Sequence, residues 1–260
     1  MGTSSIYEGP IDKSKLIPSD YDGTDDDKKD ESMEQPWKNT KKLMAQYITG
    51  SNNNLRGVVQ SYIKASGGSQ KITQNSKSGI KSTVNLGQLF SNIKQNGLEK
   101  TFKDLKLEYK DKDINEVLSE LVNIVSYSSN NKEEIVAKDA TIETFSEVYS
   151  FIEENNMDIS CLEYMNEDMF DIIVCKYISS YIWGKMLNDL ESRFEQYSSD
   201  PNKSIEIECE FKDYIKSTVD VTYNEMKVNV NSFNEGNIYE IINSLYFECY
   251  DVLGGSLWKI

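Results

Sequence analysis

The sequence predicts an all-α protein: an irregular multi-helix bundle preceded by a disordered acidic N-terminal arm. Three observations predict it. Apolar residues recur at the spacing of one helix face over most of residues 37 to 253. Asn or Asp stands just before several of these stripes, where its side chain can cap the first free amides. Three of the four prolines (Pro10, Pro18, Pro36) lie in the first 36 residues, near the run Asp25-Asp26-Asp27 and without a sustained apolar period.

Residues 1–36 therefore read as a flexible acidic arm. Within it, Leu16-Ile17-Pro18 can dock as a short extended piece, because the residue before proline is biased away from helix. Pro36 suits the first position of a helix, and Leu43, Met44, Tyr47 and Ile48 form a stripe that stops at Gly50. Asn52 to Asn54 precede a second helix with Leu55, Val58, Val59, Tyr62 and Ile63 on one face, and Gly67-Gly68 ends it. A third helix is expected from Lys71 to Lys94, with Gly79 and Gly87 permitting close approach of another helix. A short piece from Leu98 to Leu107 follows.

Asp113 suits the cap of a helix that turns Val117, Leu118, Leu121, Val122 and Val125 inward. Asn130 or Asn131 precedes a longer helix reaching Ile152. The widest stripe, from Phe170 to Leu190 within a helix over 166–197, belongs at the centre of the core. Two more helices are expected over 203–228 and 235–253. Short alternations at Ile205-Glu206-Ile207-Glu208 and Val228-Asn229-Val230 leave a small hairpin as the alternative.

Charge divides the chain into three parts: the arm 1–36, a basic helical segment 37–110, and an acidic helical bundle 111–260. The whole carries 28 Lys+Arg against 43 Asp+Glu, a formal net of −15. The arm has a net of −6, the basic segment +10 and the acidic bundle −19. Between Glu34 and Glu99 there is not one acidic residue. Separation on this scale reports on partners or on mutual docking, not on fold.

Several function classes fall away on residue types alone. Histidine is absent, which removes Ser-His, Cys-His and His-metal chemistry. Cys161, Cys175, Cys209 and Cys249 form no C-x-x-C pair and sit among apolar residues, as reduced core positions do. No metal site and no cofactor is expected. Ser78-Gly79-Ile80-Lys81-Ser82-Thr83 lacks the spacing of a phosphate loop and reads as a lysine-bearing helix face. The abundant carboxylates read as solvated faces. No run approaches 18 uncharged apolar residues, and the N-terminus lacks the basic and apolar regions of a signal peptide, so a cytoplasmic protein without membrane contact is expected.

The first residues are the most informative local feature. Loss of Met1 would leave an α-amine on Gly2, a residue with no side chain, followed by the small Thr3, Ser4 and Ser5. An α-amine titrates at about 7.7–8.0, so roughly a tenth of it is neutral and nucleophilic near pH 7, far more than for an ordinary lysine. Ile6 stands where myristoylation wants Ser or Thr. In the basic segment, Lys41, Lys42, Arg56 and Lys64 are candidates for an interaction surface. The near absence of Arg argues against bidentate base recognition there.

The start Met1-Gly2-Thr3-Ser4-Ser5, then Gly9-Pro10, Leu16-Ile17-Pro18, Pro36-Trp37, the stretch Asn54 to Lys64, Gly67-Gly68, Gly97 to Leu107 and Ile114 to Leu118 resemble the QatB family. The resemblance covers about residues 1–125. An acidic insert separates Pro18 from Pro36-Trp37, and Ile6-Tyr7-Glu8 stands where relatives are Ser- and Gly-rich. The resemblance implies a non-enzymatic component of an anti-phage system. It would act with an ATPase (QatA), a QueC-like enzyme (QatC) and a TatD-like nuclease (QatD). It further implies that the QueC-like enzyme attaches a 7-deazaguanine to the amine of Gly2, with Thr3, Ser4 and Ser5 following into the enzyme pocket. The alternative is a subunit that senses nucleic acid through residues 37–110. A cryptic enzyme is the third and weakest reading.

Overall fold

Helix α8, Glu167–Tyr197, runs through the middle of the molecule, and its wide apolar stripe is the reason. Phe170, Ile173, Val174, Tyr177, Ile178, Tyr181, Ile182, Met186 and Leu190 are all buried along it. The computed structural model describes residues 31–126, 131–197 and 200–256. These residues are helical, with no strand among them. The acidic residues 1–30, and with them Gly2, Thr3, Ser4 and Ser5, lie outside the described residues.

The helices before α8 are α1 (Glu31–Ile48), α2 (Leu55–Ala65), α3 (Gly68–Gln74), α4 (Lys77–Asn96), α5 (Leu98–Asp104), α6 (Ile114–Val125) and α7 (Lys132–Glu154). After it come α9 (Pro201–Met226) and α10 (Ile238–Leu253), and two short 3-10 turns cover Ile159–Tyr164 and Val230–Asn234. α8 packs on α7, α9, α1 and α4. α4 is the second centre, meeting α5, α6, α7, α8, α10 and both 3-10 turns. A single hydrophobic core runs from Met44 to Leu253 and draws on the basic and the acidic segments alike.

The expected caps are in place. Asn54 accepts from Gly57 N, Asp113 from Asn115 N and Asn131 from Glu134 N, each satisfying an amide that has no intrahelical partner. Three expectations need correction. Pro36 stands inside α1 and not at its first position, because the helix begins at Glu31. The proline removes an N–H that would have bonded back one turn, and the Thr40 hydroxyl donates to the Pro36 carbonyl one turn on. The helix expected over 71–94 is two helices, broken at Asn75-Ser76. Ser76 turns its hydroxyl back to the Ile72 carbonyl and accepts from the Tyr250 hydroxyl, so tertiary contacts favour the break. Gly67 and Gly68, at φ +94° and +84°, make the left-handed corner between α2 and α3. Finally, the hairpin alternative fails: Ile205 to Glu208 lie within α9, and Val228 leads into a 3-10 turn.

Candidate interaction surface

Helix α1 turns Met44 and Ile48 into the core, and Trp37 packs edge-on to Tyr62 of α2. The Asn39 amide donates to the Ser61 hydroxyl, which donates in turn to Thr40, pinning α1 to α2. With that face committed, helical spacing sends Lys38, Lys41, Lys42, Ala45 and Thr49 to the other side. There they line a groove of about 570 Å³ with Gln46 and with Arg193 of α8. Four cationic side chains thus line one concave patch, and no carboxylate stands among its described lining residues.

The structure brings Lys41 and Lys42 together but does not add Arg56 and Lys64 to the same groove. Both are exposed on α2. Arg56 acts on Tyr214 of α9, whose hydroxyl burial raises and the Arg56 charge lowers. Arg193 escaped sequence reasoning because it belongs to the acidic segment, some 150 residues from the lysines it joins. Only the packing of α1 on α8 reveals it.

The two oppositely charged segments do not meet chiefly through ion pairs. Lys94–Glu167, at 3.8 Å and largely exposed, joins them. The other joins are of another kind, most of them at least half-buried. Glu133 accepts from the Ser78 amide at 2.7 Å and from the Tyr181 hydroxyl at 3.0 Å. Glu163 accepts from the Leu98 amide at 2.6 Å. Tyr62 donates to Asp189, Ser69 to Asp251 and Tyr47 to Glu210. Tyr246 donates to Thr83, whose own proton goes to the Gly79 carbonyl. Ser78 to Thr83 therefore form the start of α4, where a phosphate would meet the Glu133 carboxylate already bound to the first turn.

The cysteines are not all core residues as expected: Cys175 and Cys249 are buried and Cys161 half-buried, but Cys209 is exposed on α9. The other three thiols are poor nucleophiles. Burial and the Asp158 charge push Cys161 up to about 11, and burial pushes Cys249 up to about 12 and Cys175 further still. Burial would also raise the Glu143 carboxyl, but hydrogen bonds and charge from Lys176 and Lys212 outweigh it and hold the group below its ordinary value. Among the described residues no cluster of three or more Cys, Asp or Glu could hold a metal ion, and no helix is long and apolar enough to cross a membrane.

No curated protein and no solved structure matches the chain. A protein family described as Qat anti-phage system associated protein QatB matches residues 67–253. The match takes in the glycine corner at Gly67-Gly68, the Gly97 to Leu107 stretch and the start of α6, then continues through the helices that carried no motif of their own. With well over half of its length inside that match, the chain belongs to the QatB family, a component associated with the Qat anti-phage system.

Proposed function

We propose that the chain is a non-enzymatic adaptor of the Qat system whose Gly2 amine accepts a 7-deazaguanine from a QueC-like partner enzyme (QatC). Family membership carries this reading, because it makes the chain one part of a multi-component anti-phage system. The residues that follow Met1 support the finer statement: Gly2 offers an unhindered amine, and Thr3, Ser4 and Ser5 are small enough to follow it into a pocket. The chemistry is acyl transfer. The neutral Gly2 amine attacks an activated deazaguanine carboxylate, an amide bond forms, the activating group leaves with its bonding pair, and the amine gives up a proton. Catalysis belongs to the partner, and the helical body supplies contact faces for the ATPase (QatA) or the TatD-like nuclease (QatD). We place this in the cytoplasm.

Intact-mass analysis of the chain, purified from cells carrying the whole operon, tests the reading. The expected result is loss of Met1 and a deazaguanine-sized addition on the N-terminal peptide. A plain Gly2 terminus overturns it. Removing residues 2–5 should abolish protection against phage while leaving the circular dichroism of the body unchanged.

Nucleic-acid contact through the basic segment is a second reading, favoured by the convergence of Lys38, Lys41, Lys42 and Arg193 in one groove. It expects an electrophoretic shift that weakens steeply with salt and is lost in Lys41→Glu with Lys42→Glu.

A further inference from the structure

We propose that the groove along α8 between α7 and α9 docks another protein, and that it takes an amphipathic helix with lysine or arginine beside its apolar face. The groove encloses about 340 Å³. Small residues leave the room: Ala140 of α7 stands in one wall, and Ser180 and Gly184 of α8 lie below it. Trp183 and Leu187 complete an apolar floor. Trp183 is held there, stacked on Phe211 of α9 with its indole N–H donating to Glu208.

The rim is apolar too. Ile135 lines the groove and is 49% exposed. Ile142, 52% exposed, lies seven residues on along α7, on the same stripe of that helix. On the opposite wall, Ile205 is 59% exposed. It stands three residues before Glu208 and seven before Lys212, both in the lining, so it borders the groove from α9. Large aliphatic side chains left half in water around one concavity mark an interaction site. A partner helix buries them with its own apolar residues at i, i+3, i+4 and i+7.

Charge selects the partner. Asp139, Glu143, Glu191 and Glu208 line the groove with Lys212. Glu143 and Glu208 share Lys212, and Lys176 at the far end is held between Glu143 and Glu147. Asp139 and Glu191 are exposed and make no ion pair among the described residues. In the sequence, residues 194–200 beyond Glu191 add Glu195 and Asp200 and no Lys or Arg. Such a face repels nucleic acid, anionic lipid and a second copy of itself, and attracts a basic helix. The proposal holds whether or not Gly2 is modified, and its failure leaves the mass test of the terminus untouched.

The test is fluorescence anisotropy with the full chain and a labelled 14-residue leucine–lysine peptide whose leucines fall on one helix face. A second peptide of the same composition spreads its leucines around the helix. The first should bind about tenfold more tightly than the second. Ile135→Ser with Ile142→Ser should weaken the first peptide about tenfold, and so should Ile142→Arg alone, at its exposed site. Asp139→Asn with Glu191→Gln should weaken it about threefold at low salt and flatten its salt dependence. Val221→Ser, at an exposed aliphatic side chain of α9 outside the groove lining, should change nothing. Equal binding of the two peptides overturns the proposal, and so do rim variants that bind as the parent does. An equal loss in Val221→Ser overturns it as well, because the peptide then reads surface apolarity in general. A dimer in sedimentation that Ile142→Arg dissociates assigns the face to a second copy and likewise overturns it.

Discussion

Where α4 meets α7, α8 and α10, the basic and acidic segments touch through hydroxyls, backbone amides and carboxylates that accept from them. Where α1 meets α8, lysines instead face a groove open to solvent. The two regions draw on the same lopsided charge distribution and use it differently. A buried lysine–carboxylate pair would have to recover the desolvation of two ions. A carboxylate that accepts an amide and a tyrosine hydroxyl desolvates one ion and gains charge-assisted hydrogen bonds. The seam is thus built from one-sided polar contacts, and Lys41 and Lys42 of the basic segment stand outside it, on the groove. Charge asymmetry along a sequence need not mean that its halves are held together by that charge.

The strongest challenge to the seam is steric. A side chain at Gly87 of α4 would overlap the ring of Phe233 in the second 3-10 turn. Gly87→Val is expected to cost about 3 kcal/mol in urea unfolding, because the buried ring has no room to yield. Glu133→Ala comes next. It strands the Ser78 amide and the Tyr181 hydroxyl, and should cost about 2 kcal/mol by the same measurement. An unchanged midpoint would mean that water, not Glu133, satisfies those groups.

Glu143 sharpens the comparison through pH, since it is an ion-paired contact inside the acidic segment, held between Lys176 and Lys212 on α8 and α9. Its folded pKa lies below the ordinary 4.5. Its contribution is therefore fully present above that value and is lost as pH falls through the folded one. The stability gap between the parent and Glu143→Gln should be open at neutral pH and close as pH falls below 4.5 and through the lower folded pKa. The smallest effect is expected at Lys94–Glu167, an ion pair that joins the two segments. Lys94→Ala should change stability by less than about 0.5 kcal/mol, as exposed pairs do. A larger loss would restore the view that charge holds the segments together.

Much of the fold was legible beforehand because helix signals are local. The caps at Asn54, Asp113 and Asn131 and the stripe of α8 needed nothing beyond neighbours in the chain. The errors fall where a distant group decides. Asn75-Ser76 reads as tolerable helix interior until Tyr250 arrives from α10 to bond Ser76. The alternation at Ile205 to Glu208 looks strand-like over four residues, yet α9 buries Ile207, Phe211, Ile215 and Val219 at helical spacing. Of the candidate surface, Lys41 and Lys42 were legible as part of an acid-free stretch, whereas Arg193 was not.

The sequence by itself determined the helices, their caps, the segregation of charge and the resemblance that the family match over residues 67–253 bears out. All of these depend on residue type and on spacing within a few turns. Only the tertiary structure decided which cations share a groove, which carboxylate closes the start of α4 and where a long stripe breaks in two. Those outcomes depend on side chains from helices far apart in sequence coming within hydrogen-bonding or Coulombic range, and no local pattern encodes that distance.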